Sequence, residues 1–354
     1  MEPRRTDSER GNHSAELGLI RRIRTRAAIP VGSALRLGIG DDCALLRPRP
    51  GEEFAVTTDL SIAGRHFRLD WHSPESIGHR ALARGLSDLA AMGARPVAAF
   101  LSLGLPRDLA IFSGGSKTGD KGLKLQYWID AFLDGLLTLA RAHQTPLAGG
   151  DLAESPVALA DIVLIGAVPR GKALLRSGAR PGHLLYVTGA LGGASAGLAR
   201  LTQLATTNSP GPRPPRIPKN LAPLLAPHLF PQPRIAQGLY LQRRSLTSAA
   251  IDISDGLSTD LAHLCEESNV AAEVDAARLP IHSGATLQQA LHGGEDYELL
   301  FTAPAETRIA RKIAGISITK IGRIVRARRN HPAVTLITPQ GREPLEPQGW
   351  EHFS

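Results

Sequence analysis

Five short segments place Asp behind a small or hydroxylated residue: Gly38-Ile39-Gly40-Asp41-Asp42, Thr57-Thr58-Asp59, Ser87-Asp88, Gly149-Gly150-Asp151 and Ile251-Asp252-Ile253-Ser254-Asp255-Gly256. Apolar, β-rich runs precede four of the five, so carboxylates are expected where strands give way to loops. Small neighbours let backbone and ligand come close. Any one segment reads equally well as Asp capping a turn or a helix. Five in one chain point instead to Mg²⁺, a hard cation that takes a few carboxylates, water and substrate phosphates rather than an all-protein cage. These residues imply a polyphosphate site built on several magnesium ions.

The chain has 354 residues, room for two domains, and its 42% apolar and 21% charged residues strike a globular balance. Aromatics are only 4%, which argues against stacking platforms for single-stranded nucleic acid. Cys43 and Cys265 fit no metal-binding spacing and no disulfide framework. The formal charge of +8 suits an anionic substrate or a nucleic acid, but the arginines are scattered rather than gathered in one run. The stretch to Arg26 carries Glu2, Asp7, Glu9 and Glu16 and no apolar segment, unlike a signal or transit peptide. No apolar run approaches the roughly 18 residues that span a bilayer. A soluble cytoplasmic protein is expected, without nucleic-acid or membrane partners.

Residues 1–13 read as a disordered tail. A short amphipathic helix is expected over 17–26 and strands over 35–39 and 54–58. Ser73-Pro74-Glu75 starts a helix that stops at Gly93. Further along come a buried strand over 97–103, a helix over 126–143, and strands over 146–148 and 160–168. Residues 113–124 and 206–219 read as loop insertions, the second holding five prolines. From Gly171 the pattern restarts: strand 184–188, helix 191–204, helix 235–243, strand 249–253, helix 257–267, strand 272–274, strand 297–302, a helix near 305–313, and strands 318–325 and 334–337. Helices and strands mix without strict alternation, which predicts two α+β domains, 14–170 and 171–354.

Familiar nucleotide motifs fail. Gly166 to Ala173 nearly matches a phosphate loop, but Ala stands where a hydroxyl must hold Mg²⁺, and Pro169 lies inside it. No Gly-x-Gly-x-x-Gly follows a strand with a distal acid. If ATP binds, metals must do the work of a phosphate-loop lysine.

Eight stretches, in order, carry a family resemblance: GIGDDCALL (38–46), TTDLSIAGRHF (57–67), LSDLAAMGARP (86–96), GGD (149–151), LLRSGARPGHLLYVTGALG (174–192), AIDISDGLSTDLAHL (250–264), GGEDYELLFT (293–302) and GWEHF (349–353). With them the chain resembles the thiamine-monophosphate kinases, of the aminoimidazole-ribonucleotide synthetase and selenophosphate synthetase superfamily. The resemblance implies ATP-dependent phosphorylation of thiamine phosphate to thiamine diphosphate. It also implies an N-terminal α+β domain whose sheets pair across a homodimer, and a C-terminal α/β sandwich covering the nucleotide cleft. Relatives often carry Asn where this chain has Gly85 and Thr where it has Leu152, so those side-chain roles are absent.

The resemblance gives Asp59, Asp88 and Asp151 as metal ligands, with Asp42, Thr57 and Thr58 completing the N-terminal cluster. Asp41 is expected to cap the turn instead. Asp88 on its helix is alternatively one half of a surface pair with Arg84. Asp252 and Asp255 flank Ser254, which would touch phosphate beside helix amides; Asp255 is otherwise a helix N-cap. Gly150 and Arg176 are expected at ATP, Arg176 as a phosphate clamp or else a surface arginine. His66, Glu295 and Trp350 match positions that contact thiamine phosphate, and Trp350 either stacks on its ring or packs the terminus. Competing readings are a related synthetase of the superfamily and a basic nucleic-acid-binding protein without ATP chemistry.

Overall fold

The computed structural model describes residues 18–27, 34–107, 109, 121–207 and 213–349. A helix over residues 18–26 (α1) leads to a small antiparallel pair, β1 (Leu35–Leu37) and β2 (Leu45–Leu46). Then follow β3 (Glu52–Ile62), α2 (Pro74–Ala91), β4 (Arg95–Leu105), α3 (Lys121–Ala142), β5 (Leu147–Glu154) and β6 (Leu159–Pro169). They form a four-stranded sheet in the order β3-β6-β4-β5, with only the β4–β5 pair parallel. The Ser73 hydroxyl accepts the Ser76 amide and Pro74 takes the first turn, as the sequence predicts for α2. Helices α2 and α3 meet backbone to backbone. An added Cβ would lie 2.0 Å from Phe132 O at Gly78, and 1.8 Å from Glu75 O at Gly135.

The second half adds β7 (Leu184–Thr188), α4 (Gly193–Thr207), α5 (Ala222–Leu229), α6 (Ile235–Arg243), β8 (Ala249–Ile253), α7 (Leu257–Ser268), β9 (Ala271–Asp275), α8 (Leu287–His292), β10 (Glu298–Ala303), β11 (Lys312–Ile313), β12 (Ile316–Val325), β13 (Val334–Thr338) and β14 (Gly341–Pro344). Among the described residues these strands make one eight-stranded sheet, ordered β14-β13-β9-β12-β7-β10-β8 with β11 on β12. One core runs through both halves, joining Leu86, Phe132 and Leu164 to Leu299 and Phe301. Each fully buried large apolar side chain there contributes roughly 1.5–3 kcal/mol. Helix α2 is the keystone: it packs on β3 and β6 of its own sheet and on α6, β8 and β10 of the other half.

Several expectations need correction. No helix forms over 305–313; Ala314 and Gly315 take positive φ and turn β11 straight back onto β12, while Ile309 and Ala310 pack on the core. Of the seven Asp in the five segments, Asp59 and Asp151 lie inside strands rather than where strands give way to loops, while Asp252 lies in β8, the strand expected over 249–253. Helices α5 and α8 were not foreseen. α5 tolerates Pro227 in its interior, against the usual breaker rule. α8 does carry a local signal, a capping box between Thr286 and Gln289. Thr206 and Thr207 belong to α4, and Ile217 packs on Leu201, Leu225 and Leu229, so that segment is not a loop throughout. Helix α3 begins at Lys121, inside the expected 113–124 insertion.

Candidate active site

A cavity of about 490 Å³ opens where α2 meets the second half of the chain. Its walls have opposite character. One gathers carboxylates from both halves, and the other is a tightly bonded set of basic and aromatic groups.

On the acidic wall, Asp59 comes from β3, Asp88 from the last turns of α2 and Asp252 from β8. Asp88 accepts a hydrogen bond from the Thr57 hydroxyl, and Asp252 accepts one from Ser87 at 2.6 Å. Asp59 keeps Oδ2 buried with no hydrogen-bond partner among the described residues. Burial and then the neighbouring Asp88 charge push Asp59 up to about 6, against the pull of Arg84. Burial, with Asp88 and Asp59 adding to it, pushes Asp252 up to about 7. Asp88 is raised as well, chiefly by burial, while the Thr57 bond and Arg176 oppose the shift. Like charges thus crowd a desolvated corner that lacks enough protein cations, a donor set suited to a hard metal ion. Among the described residues no group of three or more His, Cys, Asp or Glu forms a metal cage by itself.

On the opposite wall, Arg80 organises three segments. Its guanidinium donates to Glu295 Oε1 at 2.7 Å, to His66 O at 3.0 Å, and to His228 O and Nδ1 at 2.5 and 3.0 Å. Glu295 sits at φ +66, a backbone conformation rare for a side chain with Cβ. Burial would raise its pKa, but Arg80 overrides this and holds it below the usual carboxylate range. His72 and His228 share a 2.9 Å Nε2–Nε2 hydrogen bond. Burial and then Arg80 lower both, His72 to about 4, so the pair is neutral at pH 7. Arg68 stacks over Trp71 at 4.3 Å on the same side.

The family description "AIR synthase related protein, N-terminal domain" matches residues 40–168, and its C-terminal counterpart matches residues 180–334. Thiamine-monophosphate kinase of Escherichia coli K12 is 37% identical over 333 residues, covering 90% of this chain and 93% of that protein. The chain belongs to the thiamine-monophosphate kinase family. The crystal structure of the Stenotrophomonas maltophilia thiamine-monophosphate kinase superposes with a TM-score of 0.73 at 38% identity, covering 90% of this chain and 95% of that one. AaThiL complexed with AMPPCP and TMP superposes over the whole of both chains, with a TM-score of 0.70 at 27% identity. The two-domain α+β architecture is therefore that of the kinase family.

Of the residues singled out in the sequence, Asp59, Asp88, Asp252, Ser254, Asp255, His66 and Glu295 line the cavity. Thr57 touches it through Asp88. Asp42, Thr58 and Asp151 are exposed outside its lining. Asp41 accepts the Asp42 amide, the turn-capping role expected of it. Arg176 is exposed, yet its charge acts on both Asp88 and Asp252. Gly150 has a structural reason to be glycine, since a Cβ would lie 1.8 Å from Leu101 O. Trp350 lies outside the described residues.

Two alternatives fall away. Arg84 pairs with Asp59, at 3.4 Å, rather than with Asp88. The N-cap of α7 is Gly256, not Asp255. Just ahead of α7, the amides of Ser254, Asp255 and Gly256 all donate to Asp260 Oδ2, at 3.0, 3.0 and 3.1 Å. Asp296 likewise accepts the Gly192 and Ala194 amides at the start of α4. Arg80, Ser87, Asp260 and Asp296 were missed in the sequence. Arg80 meets Glu295 across 215 positions, so no local signal marks it.

Proposed function

We propose that this protein transfers the γ-phosphoryl group of ATP to thiamine phosphate, giving thiamine diphosphate. The observation that carries this reading is the single cavity that joins the Asp59, Asp88 and Asp252 carboxylates to His66 and Glu295, in a chain of the thiamine-monophosphate kinase family. Family relatives supply the substrate class: AaThiL has been seen with AMPPCP and TMP together.

The transfer is direct and in line. The acceptor phosphate is already an anion at neutral pH, so its oxygen attacks without a general base, and no residue becomes a covalent intermediate. The obstacle is bringing two anions together. Each unit-charge repulsion at about 4 Å costs roughly 4 kcal/mol at an effective dielectric near 20. Asp59, Asp88 and Asp252 would hold Mg²⁺, with Asp255 at the edge of the same cavity, and the bound ions supply charge neutralisation at the phosphate oxygens. The buried Asp59 Oδ2, with no protein donor, fits that role. Thr57 and Ser87 orient Asp88 and Asp252. Arg176 attracts ATP phosphates toward those two acids. His66 and Glu295, clamped by Arg80, shape the acceptor end. Asp42, Thr58 and Asp151, also expected at metal, are exposed and lie outside the lining of this cavity.

A cytoplasmic homodimer belongs to the same reading. No helix among the described residues is long and apolar enough to cross a membrane. Phe54, Val56 and Leu60 project from the β3 face opposite Thr57 and Asp59, and are 40%, 62% and 45% exposed. The molecular mass in solution tests the dimer.

Coupled measurement of ADP tests the function. ADP release is expected only when Mg²⁺ and thiamine phosphate are both present, with free thiamine a poor acceptor. Equal release with and without thiamine phosphate would make the protein an ATPase and reject the reading.

A further inference from the structure

Helix α2 carries two arginines one turn apart, and they differ in how fully they are bonded. Arg80 engages Glu295, His66 O and both acceptors of His228. Arg84 reaches only Asp59 Oδ1, at 3.4 Å, near the outer limit of a hydrogen bond. A guanidinium offers five N–H donors in a planar fork, so most donors of Arg84 have no acceptor among the described residues. Yet its side chain is only 18% exposed, and it lines the cavity. A mostly buried cation whose open donors face a cavity is placed to meet an anion there.

The setting says which anion. Asp59, which bonds Arg84, belongs to the acidic wall and Glu295 to the opposite one, and the charges of both act on Arg84, so the guanidinium stands between the two. The fork matches two oxygens of one phosphate, which a lysine cannot do. We propose that Arg84 binds the phosphate of the acceptor, using the donors that Asp59 leaves open. This rests on the kinase reading above and adds a substrate-contacting residue to it. Arg84 transfers no proton and forms no covalent bond. It holds the acceptor phosphate at the junction of the two walls and offsets part of its repulsion from the incoming phosphoryl group.

The test uses the full chain with Mg²⁺. It measures thiamine phosphate binding by calorimetry beside a non-hydrolysable ATP analogue, and steady-state KM for both substrates. Arg84→Gln is expected to weaken thiamine phosphate binding, and raise its KM, by about tenfold or more, with the KM for ATP within about twofold. Arg84→Lys, which keeps the charge and loses the fork, should fall between wild type and Arg84→Gln. Removing a cation beside Asp59 should also lower the Mg²⁺ concentration for half-saturation. Acceptor binding by Arg84→Gln within about twofold of wild type overturns the proposal. A variant whose sole defect is weaker Mg²⁺ binding overturns it too. If Arg84→Gln does not fold, Arg84→Lys decides alone, and unchanged acceptor binding rejects the inference. Wild-type protein that shows no response of ADP release to thiamine phosphate rejects the kinase reading itself, an outcome distinguished by appearing before any substitution.

Discussion

The two walls of the cavity are built on opposite electrostatic plans. The acidic wall gathers Asp59, Asp88 and Asp252, where burial raises all three pKa values and the neighbouring carboxylates raise Asp59 and Asp252 further, and it leaves Asp59 Oδ2 without a partner among the described residues. Across from it, Glu295 is half-buried and is held below the usual carboxylate range by Arg80, against the effect of burial. The first wall is incomplete by itself and stores repulsion that only a cation can relieve. The second is complete, and what it offers a ligand is shape. A site that binds metal reversibly and positions one substrate, as proposed here, needs both kinds of wall, and they should fail in opposite ways when altered.

The largest expected effect breaks the acidic wall. Asp88→Asn keeps the volume and the Thr57 contact but removes one charge. Turnover should fall on the order of 10³-fold or more, since a metal's stabilisation of developing charge is worth several kcal/mol. In the metal-free protein the same change should raise the melting midpoint, because one repelling carboxylate is gone. Activity measurements beside metal-free melting curves check both halves. Near-normal turnover, or a lowered metal-free midpoint, would mean that the acids are paired structural groups.

The asymmetry between the walls also explains what the sequence revealed. The acids proposed to hold metal have small or hydroxylated neighbours, and Thr57-Thr58-Asp59 and Ser87-Asp88 show that locally. Most element boundaries were legible for a similar reason: Ser73-Pro74, Gly93 and the alternating apolar strands are short-range signals. The second wall depends on contacts distant in the chain. Arg80 joins His66, His228 and Glu295 across separations of 14, 148 and 215 residues, and nothing beside Arg80 marks that role. The stretch Gly293 to Thr302 shows the limit well. Its three acids look alike in sequence, but Glu295 binds Arg80, Asp296 takes the amides before α4, and Glu298 pairs with Arg234 and Thr188. The false helix over 305–313 has the same origin, because its fate was set by the Ala314–Gly315 turn and the pairing of β11 with β12.

A smaller effect separates the walls from the other side. Arg80→Met leaves the half-buried Glu295 charge without its main partner and should cost about 1–2 kcal/mol of stability, with or without Mg²⁺. At temperatures where the variant stays folded, the KM for thiamine phosphate should rise more than that for ATP, because Arg80 also holds His66 O. Arg80→Lys should recover part of both. Thermal melts and paired KM values make the check. A variant with unchanged stability would show that Glu295 finds another cation, and equal shifts in both KM values would remove Arg80 from the acceptor side.

The smallest effect is a difference in sign with pH. Asp59 and Asp252 have folded-state pKa values of about 6 and about 7, above the ordinary 3.8. The fold therefore favours their protonated forms. Their contribution to stability is complete below about pH 4 and is lost as pH rises through 6 and 7. Asp296, raised by burial to about 7, and Asp260, raised by burial and by Asp252 to about 8, act in the same direction. Glu295 has the opposite sign, because its lowered pKa gives stability above the ordinary 4.5 that is lost only as pH falls below it. Its effect is confined to acid and does not mask the others. The buried His72 and His228, whose pKa values are lowered, oppose the acids below the ordinary histidine value of 6.5 and not above it, so metal-free protein should lose a few degrees of melting midpoint between pH 6.5 and pH 8. Saturating Mg²⁺ should flatten that slope by competing with protons for the acidic wall, and Asp252→Asn should reduce it without metal. Calorimetric melts across this range, with and without Mg²⁺, decide the point. A metal-free midpoint that rises toward pH 8 would mean that the three carboxylates are already neutralised by protein groups, and the contrast between the walls would be lost.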